Sequence, residues 1–249
     1  LARTACCFLP MVPEAEVPFA LSIPQLAEDL KTIWPTVLIS VPRIYESVYA
    51  KIQAGLRKKS RFARMLFQAT VSVGWRRFEH QQGRASRSPG FLFWPLLRKL
   101  VADQVLQRLG GRLTFAVCGG APLPPAIARF FIGLGLPVYH GSGLTEASPV
   151  VSVNCPNSNL PASIGKPMEG VEIRIGDQDE LLTRSPSVML GYWENPEATA
   201  AAIDGDGWLH TGDKARVDAQ GYVFITGRIK DIIVLGNGEK LPPADMEMA

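Results

Sequence analysis

The apolar rhythm of this chain changes at about residue 150, and that change limits the folds open to it. Before it, helical and extended patterns alternate. Ser22-Ile23-Pro24 reads as a helix start, with Ser22 as N-cap, Pro24 in the first turn, and Leu26, Leu30 and Ile33 at helical spacing. Pro35 stops that helix. Residues 36–40 form an apolar β-branched run between prolines, a buried strand, and Pro42 opens a helix carrying Ile44, Val48 and Ile52. Two further helices are predicted over 60–82 and 91–109, joined by the loop 84–90. Phe91, Phe93 and Trp94 are expected to pack the start of the second, with contact to a lipid surface as the alternative. Gly110-Gly111 closes it. A strand over 113–118, a tight turn Gly119-Gly120-Ala121-Pro122, a helix over 124–134 and a strand over 137–139 follow. After residue 150 the text becomes short strands (171–175, 180–183, 215–217, 222–225) separated by turns, with one small helix over 196–202. The fold class is therefore α/β, an α/β portion over 22–150 followed by a β-rich, barrel-like or sandwich subdomain over 151–227. Residues 1–21 are irregular, rich in proline and unplaced.

With 249 residues, 47% of them hydrophobic, the chain can bury one large core or two modest ones. No apolar run approaches ~18 residues, so no spanning helix is predicted. The start lacks Met and makes a poor signal peptide, its apolar stretch being broken by Pro10 and Pro13. Four cysteines without a C-x-x-C spacing argue against a disulfide framework or zinc site, so a reducing, cytoplasmic compartment is expected. Charge is uneven. Residues 51–112 hold fourteen Lys/Arg and two acidic residues, a balance of +12 within a chain of net charge +3. A solvated helical face explains this most simply. Attraction to anionic lipid, giving peripheral membrane contact, or to ligand phosphates is the sharper reading. Nucleic acid is not expected, because no helix-turn-helix, zinc or RNP-like pattern accompanies the charge.

Three polar islands punctuate the strands: Gly141-Ser142-Gly143-Leu144-Thr145-Glu146, Thr211-Gly212-Asp213 and Gly227-Arg228-Ile229-Lys230-Asp231. The first begins at the carboxyl end of a strand, where open α/β sheets place ligands. Gly141 and Gly143 let a ligand approach the main chain. Thr145 offers a hydroxyl and an N–H to phosphate, and Glu146 a carboxylate to Mg²⁺. A glycine turn with Glu146 capping a helix would look the same. Asp213 can accept from two adjacent ribose hydroxyls, or be a turn aspartate before strand 215–217. Arg228, just past strand 222–226, suits bidentate contact with phosphate or ribose oxygens, or a surface ion pair with Asp231. Lys230 lies where a junction between moving parts could fall. His210 reads as a packing residue, and His80 and His140 lack metal-ligand spacing. There is no G-x-S-x-G, G-x-x-x-x-G-K-[ST] or H-E-x-x-H pattern.

Together the islands carry a resemblance. Val138-Tyr139-His140-Gly141-Ser142-Gly143-Leu144-Thr145-Glu146 is similar to the tyrosine-glycine-x-threonine-glutamate motif of the acyl-adenylate-forming (AMP-binding) enzymes. Asp206-Gly207-Trp208-Leu209-His210-Thr211-Gly212-Asp213 resembles the fatty acyl-CoA synthetase signature, and residues 226–240 the hinge motif. The stretches 23–52 and 119–123 also read like long-chain members. The resemblance covers roughly residues 22–249.

It implies part of the large N-terminal domain of an ATP-dependent long-chain fatty acid–CoA ligase. A carboxylate attacks the α-phosphate of ATP, giving acyl-adenylate and pyrophosphate, and the thiol of coenzyme A then displaces AMP. Fatty acid, ATP and CoA are the implied substrates, with Mg²⁺ beside the nucleotide. Carried over, Thr145 contacts phosphate, Glu146 holds Mg²⁺, Asp213 binds the ribose hydroxyls, Arg228 the ribose-phosphate region, and Gly119, Gly120, Ala121 and Pro122 line the adenine and acyl pockets. Ser142 and Gly143 belong to the same nucleotide-binding set, and Lys230 is the hinge, with 228–249 opening a mobile C-terminal domain. Two departures stand out. Ser142 occupies the place of the usual adenine-packing tyrosine, which implies weaker nucleotide binding. The family's upstream phosphate loop and its C-terminal lysine domain are absent from the text, so the chain reads as an internal fragment, inactive or feeble alone. The alternatives are a degenerate nucleotide- or lipid-binding pseudoenzyme, and an adenylating ligase that passes its acyl group to a carrier protein.

Overall fold

The computed structural model describes residues 16–18, 25–229, 233–234 and 240–241. The proposed cap Ser22 and the hinge Lys230 lie outside them. The chain divides into two compact units, Ala2–His140 with Cys155–Pro161, and Gly141–Asn154 with Ala162–Ala249.

The first unit is built from α1 (Leu26–Ile33), β1 (Val37–Ser40), α2 (Pro42–Arg57), α3 (Arg61–Gln81), a helical run containing α4 (Trp94–Leu97) and α5 (Asp103–Gln107), β2 (Phe115–Cys118), α6 (Pro125–Gly133) and the first half of β3 (Val138–Gly143). β1, β2 and β3 pair in parallel, Val37 opposite Phe115 and Ala116 opposite Val138. Parallel pairing requires crossovers, and the helices supply them while covering the apolar sheet. The core gathers Tyr45, Phe67, Ala116, Phe130, Phe131, Leu134 and Val138. Tyr45 is buried there because its hydroxyl donates to the Val117 carbonyl, 2.9 Å away. α3 and α6 meet through glycines: a Cβ at Gly74 would strike the Gly133 carbonyl and the Trp94 ring, and one at Gly133 would strike Val71. Ser60 caps α3, its hydroxyl accepting from the Ala63 N–H at 3.2 Å.

The apolar trio before α4 divides. Residues 89–93 form a 3₁₀ turn, whose three-residue period puts Phe91 and Trp94 on one side. Trp94 is buried and Phe91 packs on His80, whereas Phe93 is exposed along with Leu92. The expected core role therefore falls to Trp94 and, in part, Phe91.

The second unit starts within β3. Gly141 and Ser142 pair antiparallel with Val153 and Ser152 of β4 (Val150–Val153), and β4 pairs with β5 (Lys166–Pro167). β6 (Glu172–Ile175), β7 (Glu180–Arg184), β8 (Leu209–Val217) and β9 (Val223–Arg228) follow as an antiparallel meander, with α7 (Pro196–Ala202) inserted between β7 and β8. β10 (Ile233–Val234) and β11 (Lys240–Leu241) form a separate antiparallel pair. Ile164, Leu181, Ala215 and Val223 fill the core of the meander. Ile164 donates to the Val223 carbonyl and Val223 to the Gly165 carbonyl, each at 2.9 Å, so β9 has backbone partners besides β8.

Three strands run further than their apolar text. β3 continues through Gly143, β8 begins at Leu209, and β9 ends at Arg228. The polar islands lie largely within strands instead of in the turns after or before them. Their glycines weaken the strand signal in sequence, and the pairing partners that sustain the ladders are distant.

Candidate functional site

The first island leaves β3 as a short 3₁₀ turn, Thr145–Ala147. Leu144 donates to the Pro149 carbonyl at 2.8 Å, and Gly143 lies so close to that carbonyl that a Cβ would run into it. Glycine is needed here for backbone approach. Thr145 is exposed and Ala147 buried, so the turn presents its hydroxyl outward while anchoring on a methyl. Glu146 is held twice: its carbonyl accepts from Met189 N–H at 2.7 Å, and its Oε1 from the Tyr192 hydroxyl at 2.9 Å. That bond, with some burial, raises the Tyr192 phenol above its ordinary pKa, because the carboxylate favours the protonated donor.

The second and third islands meet. Asp213 is directly opposite Arg228 in the β8–β9 ladder, and Arg228 Nε donates to Asp213 Oδ1 at 2.9 Å. The arginine's partner is thus Asp213 across the strand pair; Asp231, the partner considered from sequence, lies outside the described residues. Arg228 remains 61% exposed and Asp213 24%, so the guanidinium keeps donors available to a ligand. The first two islands also share an apolar footing, since Ala147, Val151 and Leu209 form one buried cluster with Leu144 packed against it.

Gly119-Gly120-Ala121-Pro122 belongs to the first unit, at the carboxyl end of β2. Gly119 is buried and donates to the Ser40 carbonyl at 3.3 Å. Gly120 has φ +88°, and Ala121 and Pro122 are exposed. His140, buried, places Nε2 3.1 Å from the Ala121 carbonyl, which accepts a hydrogen bond from its N–H. Ser142 lies in β3 opposite Ser152, half-buried.

Two residues that the sequence reading passed over support these islands. Glu180 accepts from the Gly212 N–H at 2.9 Å through Oε1 and sits 2.8 Å from His210 Nδ1 through Oε2. A carboxylate only accepts, so the proton is on Nδ1. His210 is therefore a polar partner of Glu180 and not the packing residue expected. Tyr192 is the other. Both lie in ordinary strand or turn text, 32 residues from Gly212 and 46 from Glu146, and no local pattern announces such pairings.

A Mg²⁺ site can be judged from its donors. Among the described residues no group of three or more His, Cys, Asp or Glu could hold a metal ion. Glu146 is one hard oxygen ligand beside an exposed threonine. That fits an ion that keeps its waters and arrives on nucleotide phosphates, and does not fit a resident cage.

The profile described as AMP-binding enzyme matches residues 2–193. The chain is 37% identical over 234 residues to the long-chain-fatty-acid–CoA ligase FadD15 of Mycobacterium bovis, covering 93% of this chain and 38% of that protein. It is 32% identical to the long-chain-fatty-acid–CoA ligase ACSBG2 of Gallus gallus, covering 90% of this chain and 30% of that protein. The anthranilate CoA ligase AuaEII, solved with anthranoyl-AMP, superposes with a TM-score of 0.66 at 23% identity, covering 99% of this chain and 40% of that one. ATP-bound MatB from Rhodopseudomonas palustris gives 0.65 at 21% identity, covering 100% and 42%. The chain therefore spans about two fifths or less of these proteins, and its mixed α/β fold is the one seen in the N-terminal domain of adenylate-forming enzymes.

Proposed function

Because the chain belongs to the AMP-binding enzyme family, we propose that it carries the nucleotide-binding part of an ATP-dependent long-chain fatty acid–CoA ligase. The carboxylate of the fatty acid attacks the α-phosphorus of ATP, the bond to pyrophosphate breaks, and acyl-AMP forms. The sulfur of coenzyme A then attacks the acyl carbon, the acyl–phosphate bond breaks, and AMP leaves. Catalysis of this kind is mostly positioning and neutralisation of phosphate charge.

The observation that carries the reading is the Asp213–Arg228 pair. Residues from two separate islands lie opposite each other in one ladder, an acceptor for hydroxyls beside a donor fork for phosphate. In the proposal, Asp213 binds both ribose hydroxyls and Arg228 the ribose-phosphate oxygens. Thr145 donates to phosphate, Glu146 is a ligand of the nucleotide-borne Mg²⁺, and Ser142 and Gly143 offer backbone to the base. Gly119 to Pro122 are assigned to the adenine and acyl pockets, and Lys230 to a hinge. Mg²⁺ supplies charge neutralisation at the phosphates when bound.

Ser142 favours the second reading, a nucleotide-binding pseudoenzyme, because a hydroxymethyl cannot stack on adenine as an aromatic ring does. Transfer to a carrier protein in place of CoA has no observation of its own. The relatives' greater length leaves the complete ligase reaction as a proposal for this chain, which alone is proposed to be inactive or feeble. A cytoplasmic location is proposed as well. No helix among the described residues is long and apolar enough to cross a membrane.

Calorimetry with AMP, alongside ATP–pyrophosphate exchange with palmitate and Mg²⁺, tests the proposal. AMP binding that falls about tenfold or more in Asp213→Ala is expected, as for loss of a hydrogen bond to a charged group. Neither AMP binding nor exchange would overturn it. Binding without exchange supports the inactive-alone reading, and robust exchange removes it.

A further inference from the structure

We propose that Glu180 is the positioning residue of the ribose subsite: its carboxylate fixes the Gly212 peptide and thereby aims Asp213. This rests on the reading of Asp213 as the ribose ligand.

Gly212 has φ +72°, and a Cβ added there would meet nothing within 4 Å. Packing therefore does not hold it, and glycine is the residue freest to turn about its own backbone. Hydrogen bonds hold it instead. Its N–H donates to Glu180 Oε1 at 2.9 Å, and its carbonyl accepts from the Ile229 N–H at 2.9 Å. The peptide planes on both sides of the glycine are thus tied, one to β7 and one to the chain just beyond β9. Next door, the Thr211 hydroxyl donates to the Leu181 carbonyl at 2.7 Å and accepts from the Asp213 N–H at 3.1 Å. The ligand carboxylate hangs from the end of this chain of bonds.

Glu180 is built for the task. Its side chain is 14% exposed, sheltered far more than a solvated strand-end glutamate needs to be. Its second oxygen lies 2.8 Å from His210 Nδ1, so two attachments fix the plane of the carboxylate. The β7–β8 register shifts between Glu180 and Leu182, and such a shift re-aims a side chain out of the regular ladder. Ionised oxygens form the strongest acceptors for a backbone N–H.

The test uses the chain with two nucleotides, AMP and its 2′,3′-dideoxy analogue, titrated by calorimetry into wild type, Glu180→Ala and Glu180→Gln. Wild type is expected to bind AMP about tenfold or more tightly than the analogue, the loss typical of hydrogen bonds to a charged acceptor. Glu180→Ala should bring AMP affinity down to that of the analogue and leave the analogue's affinity within about twofold. Glu180→Gln keeps an acceptor for Gly212 and should restore most of the AMP preference. If Glu180→Ala lacks a cooperative melt, Glu180→Met, which fills the space without an acceptor, takes its place. Glu180→Ala, or Glu180→Met in its place, that keeps the AMP preference or loses affinity for both nucleotides equally overturns the proposal and leaves the ribose reading standing. A wild type without any preference overturns the ribose reading itself and the role of Glu180 with it.

Discussion

Glu146 and Tyr192 stand 46 positions apart and share one hydrogen bond of 2.9 Å, with Tyr192 41% exposed. A bond in so open a setting contributes little to stability and much to where the carboxylate points. Tyr192→Phe is therefore expected to change the unfolding free energy by under about 1 kcal/mol and, on the proposed role of Glu146 as a ligand of nucleotide-borne Mg²⁺, to raise the Mg²⁺ concentration needed for half-maximal ATP binding a few-fold. Parallel denaturant and Mg²⁺ titrations check both halves. Glycine 143 is the opposite case. Its missing Cβ is required by the Pro149 carbonyl, so Gly143→Ala should cost about 1–3 kcal/mol by overpacking, read as a lower denaturant midpoint. The Cys118 thiol is buried at the carboxyl end of β2, the strand between β1 and β3, and burial, reinforced by Glu46, pushes its pKa up to about 12. It should resist maleimide at pH 8, where exposed Cys155 reacts, as peptide mass mapping would show. Because the folded pKa is raised, this contribution to stability is complete below the unfolded thiol value of 9.0 and is lost as pH rises towards 12. Tyr45, raised chiefly by burial, acts in the same direction. A Cys118→Ala protein should thus lose less of its denaturant midpoint between pH 9 and 11 than wild type. At this scale the residue types of the islands were legible. Their partners Glu180 and Tyr192 were not, because a contact between distant positions leaves no local mark.

Elements were read well where they carry their own periodicity. The helix Arg61–Gln81 and the crossover helix Pro125–Gly133 fall close to the stretches 60–82 and 124–134, since their apolar stripes recur at helical spacing and proline or glycine bounds them. The strands were read short. β8 starts at Leu209 and β9 reaches Arg228, and the two islands inside them look like turns because glycine interrupts each. Pairing decides the matter: Asp213 extends the ladder only because Arg228 is opposite it. The helix pair α3–α6 makes a comparable point. Gly74 and Gly133 look like weak points in two helices, yet each is where the other helix or Trp94 comes closest. Gly74→Ala should therefore destabilise the first unit by about 1–3 kcal/mol, against the modest gain that helix propensity alone promises. A rise in the denaturant midpoint would show that the two helices can move apart at no cost.

At the scale of the whole molecule, the chain forms two units, and the first takes in Cys155–Pro161 as well as Ala2–His140. Parallel strands and crossover helices occupy one unit and an antiparallel meander the other, with the division falling inside β3 at His140. The basic excess of 51–112 spans much of the helical part of the first unit, where Phe62, Met65, Leu92 and Phe93 are exposed. If this region meets lipid, binding to vesicles should rise with anionic lipid and fall as salt is raised from 0.05 to about 0.5 M, as screening requires. Binding indifferent to salt, or none, returns the charge to a solvated face. The sequence by itself determined the family, the α/β class and the polar residues of the islands, because motif and periodicity are local and survive in one dimension. Only the tertiary structure decided that Asp213 faces Arg228, that Glu180 ties Gly212, and that Tyr192 holds Glu146. Those facts are pairings across strands and turns. Their energy depends on register and on distances of about 3 Å, which the order of residues along a chain does not contain.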